Sequence, residues 1–197
     1  MDDIKQKIKE IGKYTKENIK PSRYEHSKRV AKMCVKLCRR YGLDEKKGYL
    51  IGIGHDMCKY LSNDEMIKTA SRDGNDISEE ERNTPMLLHG RAAAVIMKEK
   101  FFITDKELLE AVANHVSGML GMCDYTKILF LADKCEPKRP QSTKKYRKNL
   151  MKLSLDGMTA SVLQENYEFL LKKGFSIYPN TKKMIQYYID KAGKEGN

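Results

Sequence analysis

The feature that most constrains the fold of this chain is a helical spacing of its apolar residues, which recurs along almost the whole sequence. In the first segment, Ile4, Ile8 and Ile11 follow one another at intervals of three or four residues, as on one face of an α-helix. Residues 30–41 repeat this spacing, and Gly42 follows as a typical helix end. No segment alternates apolar and polar residues as a half-buried strand does. The sequence therefore predicts an all-α protein.

Capping residues, prolines and glycines divide the chain into successive helices. Internal repeats and low-complexity linkers are absent from the sequence, which predicts a single domain over residues 1–197. We expect its core over about 18–135, a mobile basic segment over 137–149 and C-terminal helices over 150–192. After the first two helices, the predicted helices cover residues 44–60, a short segment after Ser62, and residues 84–98, 104–113, 124–135, 150–173 and 181–191.

The charge of the chain is strongly basic. Lys and Arg number 38 and Asp and Glu number 27, a formal net charge of +11 that favours nucleic acid or a phosphorylated small molecule as ligand. A transmembrane helix needs about 20 consecutive apolar residues, and every apolar run here is far shorter. The first residues are charged, unlike a secretory signal, and the five cysteines form an odd set without a CxxC pair. We therefore expect a cytoplasmic protein with no membrane span.

The four histidines are the strongest functional signal. His26, His55, His89 and His115 fall on different predicted helices or helix ends. His26 lies on the apolar stripe of the second helix, and His55 follows the apolar run 49–54. A single buried histidine more often has a structural role, but four inward-facing histidines indicate one shared site.

Asp133 adds a carboxylate to this set. It follows the apolar residues 128–132, and an unpaired buried carboxylate costs several kcal/mol. Either a divalent ion or a salt bridge to Lys or Arg compensates that cost. Imidazole and carboxylate donors without a thiolate suit iron, manganese, cobalt, nickel or zinc. Gly48, Gly52 and Gly54, in the predicted helix that precedes His55, indicate close approach of a second helix or of a ligand.

The pattern formed by His26, the His55-Asp56 pair and Asp133 resembles the H…HD…D constellation of the HD-domain metal-dependent phosphohydrolases. The finer resemblance is to the YqeK-type branch, the symmetrical bis(5'-nucleosyl)-tetraphosphatase family, over nearly the full length. An HD pair alone is a weak signal, whereas an ordered series of seven strings is specific. The fold it implies is a single HD-domain helical bundle with the metal site between helices. The matching strings are residues 23–27, 55–59, 88–90, 115–118, 131–133, 136–139 and 177–181.

The resemblance implies a hydrolase that cleaves diadenosine tetraphosphate, a dinucleoside polyphosphate, symmetrically into two ADP, with ADP- or GDP-like products in the site. It implies one or two divalent ions, iron in the family. The implied metal ligands are His26, His55, Asp56 and Asp133, with His89 and His115 at a second metal or at phosphate. The implied catalytic residues are Asp56, Lys59, His89 and His115. The implied substrate-binding residues are Arg23, Asp56, Met57, Cys58, Lys59, His89, His115, Asp133, Arg139, Ser176, Ile177, Tyr178, Pro179, Asn180 and Thr181.

The expected chemistry is attack by a metal-bound hydroxide, because a divalent ion lowers the pKa of bound water to about 7. Lys59 follows His55 by four residues and is expected to reach the same face of the site. We assign Lys59 and Arg139 to neutralising charge on the phosphoryl oxygens. The pair Lys134-Cys135 departs from the aromatic–aliphatic pair usual in the family after the metal aspartate.

Two other classes of function are left open. The first is another HD-type nucleotide phosphohydrolase, a nucleotidase or phosphodiesterase with the same metals and a different pocket. The second is a basic RNA-binding protein that uses residues 134–152, where eight Lys and Arg face only Glu136. RNA binding does not require four inward histidines, and Tyr146 is the only aromatic residue in that stretch, so nucleic acid is disfavoured. A homodimer also stays open.

Overall fold

The structure is a computed structural model that describes residues 3–174 and 181–195. Every regular element in these ranges is a helix, so the predicted all-α class is confirmed. Single 3-10 turns at Ser71–Asp73 and Pro85–Leu88 connect some of the helices. The α-helices are α1 (Asp3–Asn18), α2 (Pro21–Tyr41), α3 (Glu45–Gly54), α4 (Asn63–Ala70), α5 (Glu79–Asn83), α6 (His89–Phe101), α7 (Lys106–Asn114), α8 (Asp124–Cys135), α9 (Lys144–Leu150), α10 (Leu155–Lys172) and α11 (Thr181–Glu195).

Helix α8 is the centre of the bundle. Its side chains from Ile128 to Ala132 are fully buried, and α2, α3, α7 and α10 all pack against it. A buried lysine on α8 links the bundle to the C-terminal helices, because Lys127 Nζ lies 2.7 Å from Asp156 Oδ1 of α10. Helix α10 in turn packs against α11. The long apolar stripe of α8 therefore holds Asp133, close to its C-terminus, at a fixed place in the core.

Two glycines permit the close contacts that bring the histidines together. A Cβ atom on Gly52 would lie 2.5 Å from Ala31 Cα, so glycine allows α3 to lie directly on α2. A Cβ atom on Gly90 would lie 2.7 Å from the Val112 carbonyl oxygen, so glycine allows the start of α6 to lie on the end of α7. The sequence predicts close approach at Gly52, and the structure confirms it. Each contact places two histidines side by side.

The helices differ from the prediction in three places. Helix α3 ends at Gly54 rather than near residue 60, because residues 55–60 form turns closed by short-range bonds such as Lys59 N–H to Asp56 O at 2.9 Å. The basic segment 137–149, in which the sequence predicts no helix, contains most of α9, which Thr143 caps. The helix predicted over 150–173 starts later, where Ser154 caps α10. In each case a local cap or turn overrides the apolar periodicity.

The acidic stretch 73–81 is not simply a solvated surface. Arg91 of α6 donates two hydrogen bonds to the carboxylate of Asp73, at 2.7 and 2.8 Å, and further bonds to Glu81. It also donates to the main-chain carbonyls of Asn75 and Asp76. One arginine therefore fixes this loop to α6. Over the described ranges, no helix is both long enough and apolar enough to cross a membrane.

Candidate metal centre

Six side chains named from the sequence as metal or phosphate ligands meet in one buried place. His26 lies on α2, His55 and Asp56 follow α3, His89 begins α6, His115 follows α7 and Asp133 lies on α8. The four histidines and Asp56 are each 5 % exposed or less. Five separate helices thus contribute to the cluster. The cluster lies between helices, as predicted.

The first donor group contains His26, His55 and one oxygen of each aspartate. His26 Nε2 lies 3.0 Å from Asp133 Oδ1 and 3.9 Å from Asp56 Oδ2. His55 Nε2 lies 3.5 Å from Asp56 Oδ2 and 4.0 Å from Asp133 Oδ1. Bonds of about 2.1 Å to one ion separate its ligand atoms by roughly 3.0–4.2 Å. The donor atoms of His26, His55 and Asp56 therefore lie close enough together to hold one divalent ion, and Asp133 lies beside them.

The second donor group contains His89, His115 and the other oxygen of Asp56. His89 Nε2 lies 3.1 Å from Asp56 Oδ1 and 3.1 Å from His115 Nε2, and His115 Nε2 lies 3.9 Å from Asp56 Oδ1. These three residues, like His26, His55 and Asp56, form a cluster whose donor atoms lie close enough to hold an ion. Asp56 therefore stands between the two groups, with one oxygen toward each.

Main-chain carbonyls orient three of the imidazole rings. The Nδ1 atoms of His55, His89 and His115 lie 2.8, 2.6 and 2.8 Å from the carbonyl oxygens of residues 52, 86 and 112. Since a carbonyl only accepts, each Nδ1 carries the proton and donates it. In a neutral ring, Nε2 then carries no proton and faces the cluster, which is the tautomer that binds a metal.

His55 Nε2 provides an independent test of the fit. It is a fully buried nitrogen without a hydrogen-bond partner among the described residues. An unsatisfied buried polar atom costs about 1–3 kcal/mol, and native structures rarely contain one without a reason. A cation beside Asp56 and Asp133 would satisfy this nitrogen, so the residues present fit a divalent metal.

Glu136 is a site residue that sequence reasoning missed as a functional group. His26 Nδ1 lies 3.1 Å from Glu136 Oε1, and Arg29 donates to both oxygens of that carboxylate, at 2.7 and 3.2 Å. A carboxylate behind a ligating imidazole fixes the orientation of the ring and raises its basicity. Glu136 lies within the matched string 136–139, but the contact spans 110 residues, so spacing along the chain gives no sign of it.

Four cationic side chains surround the cluster. Arg23 Nη1 donates to Asp56 Oδ2 at 3.2 Å, and Lys59 Nζ lies 3.2 Å from His89 Nε2 and 3.9 Å from Asp56 Oδ1. Arg139 Nη2 donates to Asp133 Oδ1 at 2.5 Å, and Lys134 Nζ lies 3.3 Å from Asp133 Oδ2. The structure therefore brings Arg23, Lys59 and Arg139 to the site as predicted, and adds Lys134.

The charges of the cluster suit metal ligation. Burial alone favours protonated carboxyls, but His55 and His89 hold the pKa of Asp56 well below its ordinary value. Likewise, despite burial, Lys134, His26 and Arg139 hold the pKa of Asp133 well below its ordinary value. Burial and the nearby His55 and His89 lower the pKa of His115 well below its usual range, which keeps its ring neutral. Burial opposes a proton on His55, yet Asp56 and Asp133 raise its pKa.

The remaining predicted substrate-binding residues have no described contact with the histidine–aspartate cluster. Met57 and Cys58 are 2 % and 1 % exposed and pack in the apolar core. Thr181 begins α11 and lines a cavity with Val116 and Ser117. Ser176, Ile177, Tyr178, Pro179 and Asn180 lie outside the described residues.

Comparison with known proteins gives the class first. A sequence model of the HD domain family matches residues 23–138, which include all six clustered side chains. The chain therefore belongs to the HD domain family.

Individual relatives are more specific. The chain is 31 % identical to the "Bis(5'-nucleosyl)-tetraphosphatase, symmetrical" of Staphylococcus aureus, over 92 % of this chain and 94 % of the relative. It is 32 % identical to the protein of the same name from Halalkalibacterium halodurans, over 84 % and 88 %. Its fold is similar to that of a crystal structure from Clostridium acetobutylicum, named as a predicted HD superfamily hydrolase involved in NAD metabolism, with a TM-score of 0.85, 27 % identity and coverage of 93 % and 97 %. The family resemblance predicted from the sequence motifs is confirmed.

Proposed function

We propose that this protein is a metal-dependent hydrolase that cleaves diadenosine tetraphosphate symmetrically into two ADP. The observation that carries the proposal is the position of Asp56, whose two carboxylate oxygens face two separate histidine groups. Relatives that cover most of the chain are named for symmetrical cleavage of bis(5'-nucleosyl) tetraphosphates. A buried metal centre surrounded by four cationic side chains suits a polyphosphate, because the cations balance the negative charge of the phosphate groups.

The residues of the cluster divide between holding the metal and holding phosphate. His26, His55, Asp56 and Asp133 would hold a divalent ion, and His89 and His115 would hold a second ion or contact phosphate. When bound, the ion supplies a Lewis acid and lowers the pKa of water to about 7. We propose iron, as in the family that the motifs resemble, while the same donors suit manganese, cobalt, nickel and zinc.

The cationic side chains would bind and orient the tetraphosphate. Burial lowers the pKa of Lys59, and Asp56 counteracts this shift, so the ammonium is held close to the carboxylate that it balances. Lys59 and His89 stand on one side of Asp56, and Arg23 stands beside its other oxygen. Arg139 and Lys134 flank Asp133. Phosphoryl oxygens placed between these groups would accept charge-assisted hydrogen bonds, which are about twice as strong as neutral ones.

We make three further proposals, on the residues that contact ADP, on the cellular location and on the oligomeric state. Met57, Cys58 and residues 176–181 are proposed to contact the bound ADP. We propose the cytoplasm as the location, because its nucleotide chemistry and five unpaired cysteines suit a reducing compartment. A homodimer remains a prediction that sedimentation velocity of the purified chain would check.

Hydrolysis in heavy-oxygen water tests the reaction directly. With diadenosine tetraphosphate as substrate, ADP should be the sole nucleotide product, and half of its molecules should carry one heavy oxygen atom. Removal of the metal by a chelator should abolish turnover, and return of the metal should restore it. ATP and AMP as the main products would contradict symmetrical cleavage. No turnover, beside rapid hydrolysis of another nucleotide, would favour the other type of HD phosphohydrolase.

A further inference from the structure

Two separate cavities adjoin the metal centre. The first, named here the α10 cavity, has a volume of about 580 Å³ and includes Asp133 in its wall. The second, named here the α11 cavity, has a volume of about 330 Å³ and includes Val116 and Ser117, which follow His115. The walls of the two cavities have no described residue in common. Lys134 stands between them, because it lines the α10 cavity and its Nζ lies 3.4 Å from the Val116 carbonyl oxygen near the other.

A substrate cut at its centre needs space in two directions. If the reacting phosphorus lies at the metal centre, one ADP unit extends to each side of it. The residues assigned above to ADP include Thr181, which lines the α11 cavity. That assignment leaves the second nucleoside without a place, and the α10 cavity is the larger of the two spaces.

One face of α10 gives the α10 cavity its chemistry. Val162, Glu165, Asn166 and Phe169 follow one another at i, i+3, i+4 and i+7, so they share one face of the helix, and all four line the cavity. Val162 is buried and forms an apolar floor of the cavity. Phe169, by contrast, is 54 % exposed, although it lines a cavity. An exposed aromatic ring at a cavity wall provides a surface on which a base can stack.

The wall of the α10 cavity combines charged and hydrogen-bonding groups. Lys134 and Arg139 line it next to Asp133, where phosphate would lie. Asn166 offers an amide that can both donate to and accept from a base edge. Glu165 accepts a hydrogen bond from Tyr146 Oη at 2.5 Å, which fixes a carboxylate to which ribose hydroxyls could donate. Cations, a carboxylate, an amide and an aromatic ring together match the phosphate, ribose and base of a nucleotide.

We propose that the α10 cavity binds the nucleoside of the second ADP unit, with Phe169 stacking on its base. This inference rests on the function proposed above. It makes Phe169 and Asn166 determinants of binding for the dinucleotide and not for free ADP, which needs only the α11 side.

Binding of two probes to the metal-loaded protein tests the proposal. The probes are ADP and a non-hydrolysable diadenosine tetraphosphate with a methylene group in place of its central bridging oxygen, each measured by calorimetry. In Phe169→Ala, the Kd for the dinucleotide should rise about tenfold or more, since stacking of a base on an aromatic ring contributes about that factor or more. The Kd for ADP should stay within about twofold of wild type. Leu171→Ala is the matched control, because Leu171 is 53 % exposed on the same helix and does not line the cavity.

The outcomes separate this inference from the proposed function. An unchanged Kd for the dinucleotide in both Phe169→Ala and Asn166→Ala would overturn the second subsite, while hydrolysis by wild type could still be intact. An equal loss for both probes would show that the first ADP occupies the α10 cavity, and would overturn the assignment. No binding of either probe by wild type would contradict the proposed function itself. Circular dichroism melting of Phe169→Ala checks that it folds, and Asn166→Ala replaces it if it does not.

Discussion

The two histidine groups that share Asp56 differ in the charge around them. The first group has oxygens of both Asp56 and Asp133 within 4.0 Å of its imidazoles, and a third carboxylate, Glu136, behind His26. The second group has only one oxygen of Asp56, and main-chain carbonyls alone orient its rings. A cation, Lys59, also lies 3.2 Å from His89 Nε2. This difference predicts that the first group holds an ion tightly and that the second holds a weaker ion or contacts phosphate.

The largest effect should come from Asp56, the residue common to both groups. Asp56→Asn keeps the shape of the side chain and removes the charge that faces both groups, so turnover should fall at least about 10³-fold, or about 4 kcal/mol. Metal content should also fall, as measured by elemental analysis of the purified variant. Asp124→Asn, an exposed carboxylate of α8, is the control. Normal metal content in Asp56→Asn would mean that Asp56 is not a ligand.

Replacing one histidine in each group tests the difference between them. His26→Ala should weaken binding of the first ion by more than about 100-fold, since loss of even an outer partner of a ligand weakens it by about 10–100-fold. His89→Ala should leave one ion bound and reduce turnover. Elemental analysis measures the metal content of both variants, and steady-state kinetics on the same preparations measures their turnover. Equal loss of metal in both variants would mean that the two groups do not differ as their charges predict.

Glu136 sharpens the comparison, because it supports only the first group. Glu136→Gln removes the charge behind His26 and should weaken metal binding by about 10–100-fold. Competition with a metal-binding dye measures this change without any assay of turnover. Glu25→Gln, beside His26 on the exposed side of α2, should have no effect. If Glu136→Gln bound the metal like wild type, the carboxylate would be needed only for its salt bridge to Arg29.

The smallest effects should come from the two glycines. Gly52→Ala and Gly90→Ala place a Cβ atom against backbone atoms, at 2.5 and 2.7 Å, so each should lower the free energy of unfolding by about 1–3 kcal/mol. Gly52→Ala should disturb the first histidine group and Gly90→Ala the second. Gly12→Ala is the control, because its Cβ would make only ordinary contacts from 3.7 Å. Denaturant unfolding measures stability, and metal content identifies which group is disturbed.

Much of the fold could be predicted because helix signals are local. The short helix predicted after Ser62 is present, with a capping box formed by Ser62 and Glu65, and so are the predicted ends of α8 at Asp124 and Cys135. The prediction fails where two local signals compete, as at residues 55–60, where apolar periodicity continues but the chain turns. That turn carries Asp56 and Lys59, so the irregular backbone is also where the site is built.

Some residues of the candidate site could likewise be predicted from local signals, and others could not. The sequence identified His26, His55, Asp56 and Asp133 because their residue types, order and neighbours form a motif that can be read along the chain. It did not reveal the role of Glu136, because nothing local distinguishes a carboxylate that faces an imidazole from one that faces solvent. It likewise did not predict the helix face that lines the α10 cavity, since Phe169 follows the same spacing as a core residue.

The sequence alone determined the all-helical class, the presence of a histidine–aspartate metal site and the family, because each depends on residue types at fixed spacings. Only the tertiary structure decided that Asp56 stands between two groups with one oxygen toward each. It also decided that Glu136 lies behind His26 and that two cavities adjoin the centre. The physical reason is that these features depend on distances between helices that are far apart in the chain. Those distances are set by the packing of α2, α3, α6 and α7, where Gly52 and Gly90 let the backbones touch.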